Sequence, residues 1–290
     1  MSKDFDIEDE DLEPIKKKHP IRTFFFSIIL IAVLTVVYAR YIGTSGLFVK
    51  EYNIKSSNIT DTYNGLKIAH FSDFHYGRTT FLNELKVLIK DINKTKPDII
   101  IFTGDFVDKS YKLDDQEMSL IIDQLKKLNS TYGNYYVNGN HDNKFEKYYQ
   151  MFDSAGFINL NNSYDVIYNK NNETILITGL GTKKDTKYLN EVFDNKTYNY
   201  KINIMHYPDY FEDIEMYDYN LVLSGHSHNG QIRIPFYGAV ITPNNAKKYY
   251  KPYYKIKNTD FYISSGIGVS DYNFRLFNRP SYNLYRLTKK

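Results

Sequence analysis

A chain of 290 residues can hold one large domain or two small ones, and its charged fraction of 24% is that of a globular protein rather than a disordered one. A net charge of only +3 gives no basic footprint of the kind a dedicated nucleic-acid binder carries, so no nucleic-acid partner is expected. With no cysteine at all, disulfides, thiolate metal sites, a cysteine nucleophile and a cysteine-linked lipid are excluded, and any metal must sit on nitrogen and oxygen donors.

In chain order, residues 1–20 are acidic and then basic, with Pro14 and Pro20 and few apolar side chains, and are expected to form a disordered cytoplasmic tail. Residues 23–39 are almost uninterrupted apolar sequence between Lys16, Lys17, Lys18 and Arg22 on one side and Arg40 on the other. Arg22 and Arg40 can snorkel, and Tyr38 and Tyr41 suit an interface, so a single transmembrane helix is predicted over residues 21–42. A buried core helix would show a polar face, and none is visible. A cleaved leader is the stronger rival: Val37, Tyr38 and Ala39 could make a cleavage site, although the long polar stretch ahead of the apolar core is unusual for one. The basic cluster favours an inside amino terminus, which places the catalytic domain outside the cytoplasm at the cell membrane. Residues 43–63 are expected to be a linker and residues 64–290 one domain.

That domain alternates short apolar runs with amphipathic stretches, the pattern of an α/β fold. Residues 66–71 have strand character and end at Asp73 and His75; residues 81–93 then read as a helix with Leu82, Leu85, Leu88 and Ile89 on one side. Residues 97–102 end at Gly104, Asp105 and Asp108, before an amphipathic helix over 115–128. Residues 135–137 end at Gly139, Asn140, His141 and Asp142, and residues 144–155 are again helical in pattern. Residues 201–205 run into His206, and residues 220–223 into Gly225, His226 and His228. In open α/β sheets ligands bind beyond the carboxyl ends of the strands, and five of the seven histidines fall there.

Singly, each cluster has an ordinary explanation. Asp73 with His75 could be a helix cap beside a surface histidine, Gly104 with Asp105 a common turn pair, and His206 a satisfied core histidine. His226 and His228 flanking Ser227 are a moderate metal signal. Five such clusters in order, each at a strand end, are not explained by turns and caps alone.

The ordered set Asp73/His75, Gly104/Asp105/Asp108, Gly139/Asn140/His141/Asp142, His206 and Gly225/His226/His228 resembles the signature of the calcineurin-like metallophosphoesterase superfamily, over about residues 66–290. Residues 225–235, 266–268 and 274–280 are similar to its bacterial membrane-anchored phosphodiesterase branch. Members of that branch often carry Thr and Gly where this chain has Ser227 and Asn229; Asn tolerates left-handed geometry, so Asn229 is expected to preserve the loop.

The resemblance implies a metallophosphoesterase-type α/β sandwich of two mixed β-sheets flanked by helices, behind one N-terminal transmembrane helix. It implies two divalent ions, one held by Asp73, His75 and His228, the other by Asn140, His206 and His226, with Asp105 bridging. Such donors suit Mn, Fe or Zn, and a shared carboxylate lets two cations sit roughly 3.5–4 Å apart. Water activated by both ions would attack the phosphorus, and His141 would protonate the leaving oxygen or bind the phosphoryl group, with Asp142 or Asp108 orienting it. The expected activity is hydrolysis of a phosphate ester or pyrophosphate bond, by a phosphodiesterase for preference, with lipid-linked substrates among the candidates and no protein partner implied. A membrane-tethered binding module without turnover is the competing reading; the intact ligand positions argue against it.

Other features are given no role at the site. Tyrosine abounds while tryptophan is absent, which reads as a coding bias, so the stretch from Lys247 to Lys255 is expected to be a solvated edge strand or loop. His70 is expected to be buried and hydrogen-bonded, and His19 juxtamembrane. Arg275 and Arg279 could reach a substrate phosphate on the branch resemblance alone.

Overall fold

The computed structural model describes residues 20–290. The expected tail, apart from Pro20, and His19 lie outside the described residues. Two units are present, one ending at Val37 and the other running from Tyr38 to Lys290.

The described part of the first unit is a single helix, α1 (Pro20–Val37), which buries none of its side chains. Pro20 opens it, at the position where a missing N–H costs nothing. Apolar residues occupy every side of it, so no stripe is set aside for a protein core. The apolar run extends through a π-helical turn, Tyr38–Ile42, and the 23 residues Pro20–Ile42, with mean hydropathy 2.2, are long and apolar enough to cross a membrane.

The elements of the second unit, in order, are β1 (Phe48–Ser56), β2 (Lys67–Phe71), α2 (Leu82–Thr95), β3 (Ile99–Phe102), α3 (Asp115–Leu125), β4 (Asn134–Tyr136), α4 (Tyr148–Ser154), β5 (Phe157–Asn159), β6 (Ser163–Tyr168), β7 (Thr174–Leu180), α5 (Lys187–Phe193), β8 (Tyr200–Met205), β9 (Leu221–Ser224), β10 (Arg233–Ile234), β11 (Gly238–Ala239), β12 (Tyr253–Ile256), β13 (Thr259–Ile263) and β14 (Ser281–Lys289). Two mixed six-stranded sheets result, in the orders β1-β14-β2-β3-β4-β5 and β12-β13-β9-β8-β7-β6. Strands β2 to β5 are mutually parallel, as are β7, β8, β9 and β13.

The pleat explains the layering. In β3, Ile99 and Ile101 face a core shared with Ile175, Ile177, Ile202, Ile204, Leu221 and Leu223 of the second sheet. The alternate residues Ile100 and Phe102 face Leu85, Leu88, Ile89, Ile92, Ile121 and Leu125 on the helices outside the first sheet. The second sheet buries Met205, Val222 and Phe261 against Leu189, Phe211 and Ile214 on its own outer side. This is the expected sandwich of two mixed sheets flanked by helices. Ile101 is fully buried between the sheets, so Ile101→Ala should cost about 2–5 kcal/mol, read as a lowered urea midpoint at unchanged slope.

Helix limits follow local chemistry. Glu84 accepts the Phe81 backbone N–H at 2.9 Å to open α2, and Lys96, in the left-handed region, ends it before Pro97. Asp114 caps α3 by accepting the Glu117 N–H at 2.8 Å. The helix expected over 144–155 is split: a 3-10 turn, Asp142–Lys144, stops at the extended Phe145 before α4 begins.

One boundary is corrected. Residues 43–63, expected as a linker, contain β1, which pairs in parallel with β14 over its whole length, from Phe48↔Ser281 to Ser56↔Lys289. It forms a sheet edge and buries only Ile54 fully, while Lys50, Glu51, Asn53 and Lys55 alternate with its apolar positions. An edge strand with such polar alternation lacks the continuous apolar run that marks the central strands. The stretch from Lys247 to Lys255 does include an edge strand, β12, although Tyr249 is buried in the outer core of the second sheet.

Candidate metal centre

Because the central strands of each sheet are parallel, their carboxyl ends share one edge of the sandwich. The turn after β2 supplies Asp73 and His75, that after β3 Asp105, and that after β4 Asn140, His141 and Asp142; β8 supplies His206, and β9 leads into His226 and His228. Of the seven residues expected as ligands, five have positive φ: Asp73, His75, Asp105, His226 and His228. The left-handed region costs a non-glycine residue on the order of 1–3 kcal/mol, and such outliers gather at functional sites. Asn229 also adopts φ 52°, as its tolerance of that region suggested.

The donor atoms fall into two groups, buried except for the half-buried Asn140 and His226. In the first, His75 Nε2 lies 3.1 Å from His228 Nε2, which lies 3.4 Å from Asp73 Oδ1. In the second, His206 Nε2 lies 3.2 Å from Asn140 Oδ1 and 3.3 Å from Asp105 Oδ2, with His226 beside them. Asp105 Oδ2 also lies 4.0 Å from His75 Nε2, so one carboxylate oxygen faces both groups.

These residues fit metal ions. Ligand bonds of about 2.0–2.2 Å set neighbouring donors roughly 3.0–3.5 Å apart around an ion, the spacing seen in each group. Two buried imidazole nitrogens cannot face each other at 3.1 Å with both lone pairs unless a cation or a proton lies between them. For two of the histidines the other ring nitrogen is committed elsewhere, whereas His75 Nδ1 has no hydrogen-bond partner. His206 Nδ1 donates to the Thr103 carbonyl at 2.7 Å and His226 Nε2 to the Asn244 carbonyl at 2.7 Å, which turns His206 Nε2 and His226 Nδ1 toward the centre.

The loops that present these groups are locked together. Asp142 Oδ2 accepts the N–H groups of Asp105 and Gly139, both at 2.7 Å, and its Oδ1 accepts that of Phe106 at 2.8 Å. His141 N–H donates to Asp105 Oδ1 at 2.8 Å, which leaves Oδ2 free for the centre. A Cβ on Gly139 would stand 2.1 Å from Asp105 Oδ1, so only glycine lets the two loops cross. Gly139→Ala should therefore displace Asp105, costing about 1–3 kcal/mol of stability and lowering metal content, as elemental analysis would show.

Electrostatics follow from burial and proximity. Burial opposes the charge of Asp73 and Asp105, but His228 and His206, respectively, outweigh it and hold both carboxyls below the ordinary range. Burial pushes His75 down to about 3 and His226 to about 4, keeping both neutral and able to bind a cation. His206 also loses solvation, yet Asp105 raises it to about 9, so a cation entering there replaces a proton. Burial, with the Asp105 charge, lifts Asp142 to about 7 against the three N–H groups that favour its anion.

His141 lines the mouth of the site. Its Nδ1 accepts the Lys109 N–H at 3.1 Å, so in the neutral ring the proton sits on Nε2, 3.9 Å from Asp105 Oδ2. Asp108 Oδ2 lies 3.6 Å from His141 Nδ1 and 3.7 Å from His75 Nδ1, near both rings but hydrogen-bonded to neither, so it is the Lys109 N–H that fixes the His141 ring. Asp142 does not orient His141, because its carboxylate is spent on backbone N–H groups. A cavity of about 210 Å³ opens over the centre, lined by Asp105, Asn140, His141, His226 and His228 together with Ile232, Ile241 and Tyr272.

Two arginines are corrected. Arg275 is fully buried, bonded to the carbonyls of Gly268 and Asn278, with Nη2 3.2 Å from His228 Nδ1, so it stands behind His228 and does not line the cavity. Arg279 donates to the Ser45 carbonyl at 3.1 Å and lies over the Phe48 ring. His70 is buried, 2.9 Å from Thr103 Oγ1 and 3.4 Å from the Tyr285 hydroxyl. Sequence reasoning missed the Thr103 and Asn244 carbonyls and the Lys109 N–H; main-chain groups carry no residue-type signal.

Buried nitrogen and oxygen donors converging on a shared carboxylate, at the strand ends of a two-sheet sandwich, are the apparatus of a metal-dependent phosphoester hydrolase. The chain belongs to the calcineurin-like phosphoesterase family, whose model matches residues 66–230. It is 33% identical over 258 residues to YkuE, an uncharacterized metallophosphoesterase of Bacillus subtilis (strain 168), covering 86% of this chain and 88% of that one. It is 29% identical to the phosphodiesterase YaeI of Escherichia coli (strain K12), over 76% of this chain and 82% of that one. A transmembrane protein with a metallophosphoesterase domain from Danio rerio is 23% identical, over 89% of this chain and 61% of its own length.

Proposed function

We propose that this chain is a membrane-anchored phosphodiesterase with a dinuclear centre of Mn, Fe or Zn. Asp73, His75 and His228 would hold one ion, Asn140, His206 and His226 the other, and Asp105 would contribute to both. The observation that carries the reading is the position of Asp105 Oδ2, 3.3 Å from His206 Nε2 and 4.0 Å from His75 Nε2. When bound, two such cations supply a nucleophile from water near neutral pH and neutralise phosphoryl oxygens.

The chain's own residues do the rest. His141 presents Nε2–H to the cavity, and burial holds its ring below the usual imidazole range despite Asp105 and Asp108. A neutral ring whose Nδ1 already accepts an N–H is suited to hydrogen-bonding a phosphoryl oxygen, the second of its two expected roles. Asp142 and Gly139 hold Asp105 in register. Preference for a diester has support in the resemblance to the branch and in the phosphodiesterase among the relatives.

Tethering is supported by the span Pro20–Ile42, and an outside position for the domain by Lys16, Lys17 and Lys18 ahead of it. Protease added to intact cells should then cut the domain; a domain left whole would refute that orientation. The activity is tested by metal analysis of the purified protein together with hydrolysis of bis(p-nitrophenyl) phosphate and p-nitrophenyl phosphate under Mn, Fe or Zn. Two ions per chain and faster turnover of the diester are expected; no turnover of either ester under any metal would overturn the reading.

A further inference from the structure

The hairpin β10–β11 is unusual for a surface in water. Ile234 and Tyr237 are 48% and 74% exposed, and Phe236, at its tip, is fully exposed and held at φ 66°. Phe277, 65% exposed, and Val240 and Ile241 extend the apolar surface. A bulky side chain in the left-handed region, covering nothing, has no reason within the fold.

The hairpin's attachment supplies one. Leu276 bridges Ile232: the Arg233 N–H donates to the Leu276 carbonyl at 3.0 Å, and the Leu276 N–H to the Gln231 carbonyl at 3.2 Å. The neighbouring Arg275 N–H donates to the Ala39 carbonyl at 2.9 Å, and Gly43 packs on the Arg275 carbonyl so closely that a Cβ there would meet it at 2.0 Å. Residues 39–43 are where the apolar span ends. The hairpin is thus hung, through residues 275–276, on the point where the chain leaves the bilayer. Arg40, Arg233 and Arg279 stand on the same segments, the charge that suits anionic headgroups.

We propose that the hairpin and Phe277 form a second membrane contact, seated in the bilayer interface beside the exit of the anchor. This rests on the reading of residues 20–42 as a membrane anchor. Aromatic and aliphatic side chains flanked by basic ones enter such an interface to a depth of about 5–10 Å. Ile232 and Ile241, at the two roots of the hairpin, also line the cavity over the donor groups. The mouth of the site therefore opens beside lipid headgroups, and the substrate class it meets there is a phosphate ester carried on a lipid.

The chain has no tryptophan, so one introduced indole reports alone. Full-length Phe236→Trp, Ile31→Trp and Met216→Trp proteins are reconstituted in phosphatidylcholine–phosphatidylglycerol vesicles containing phospholipid brominated at shallow or deep acyl positions. Tyr237→Trp replaces Phe236→Trp if circular dichroism shows that the latter does not fold. Phe236→Trp should lose most of its emission to shallow bromines and less to deep ones, Ile31→Trp most to deep ones, and Met216→Trp little to either. If Ile31→Trp is quenched while Phe236→Trp answers only to aqueous acrylamide, the anchor stands and the hairpin contact is refuted. Phe236→Trp shielded from bromine and acrylamide alike would mean that protein, such as a second copy of the chain, covers the hairpin, and would equally refute it. If Ile31→Trp too is untouched by bromine, the anchor reading fails and the hairpin contact falls with it.

Discussion

Asp105→Ala should reduce phosphoester hydrolysis to the uncatalysed background and leave the purified protein short of two metal equivalents. The carboxylate does two separable things. Its Oδ1 fixes the loop after β4 by accepting the His141 N–H at 2.8 Å, and its Oδ2 faces His206 and His75 from between the two donor groups. Alanine removes both, and it removes the negative charge that lets two cations lie close together without prohibitive repulsion. Asp105→Asn separates the effects, because it keeps an oxygen for the loop but loses the charge. Metal content should fall in both variants, while circular dichroism should show the asparagine protein folded. Wild-type turnover in Asp105→Ala would make the assignment untenable.

His141→Ala should lower kcat about 10²- to 10³-fold while both metals are retained, the loss expected when one donor to developing charge is removed. The site's use of the backbone N–H of residue 141, which alanine keeps, is why metal should stay. The ring itself contributes Nε2–H, fixed by the Lys109 N–H on Nδ1. Turnover and elemental analysis on the same preparation check the two halves together. Loss of metal with the loss of rate would show that His141 holds the centre; unchanged turnover would remove it from the reaction.

The placement of the site was legible because its chemistry sits at strand ends. The run Ile99–Phe102 followed by Gly104 and Asp105 announces a buried strand and a turn, and the structure puts Asp105 where that pattern predicts. The central strands, buried on both faces, read as continuous apolar runs and were found close to their true limits. Edge strands were harder: β1 alternates Lys50, Glu51, Asn53 and Lys55 with apolar residues, so its pairing with β14, more than 200 residues away in sequence, left no local trace. Nor does sequence show that five ligand-type residues occupy the left-handed region, or that the Thr103 and Asn244 carbonyls orient His206 and His226. Those are properties of main chain brought together by the sheets. The place of Arg275 was hidden for a related reason: only the branch resemblance suggested a phosphate contact, and tertiary packing turns it behind His228.

Anomalous scattering from crystals soaked in Mn probes the shared carboxylate most directly. Two peaks are expected, roughly 3.5–4 Å apart, one among Asp73, His75 and His228 and the other among Asn140, His206 and His226, with Asp105 touching both. A single peak, or two peaks that Asp105 does not join, would contradict the account.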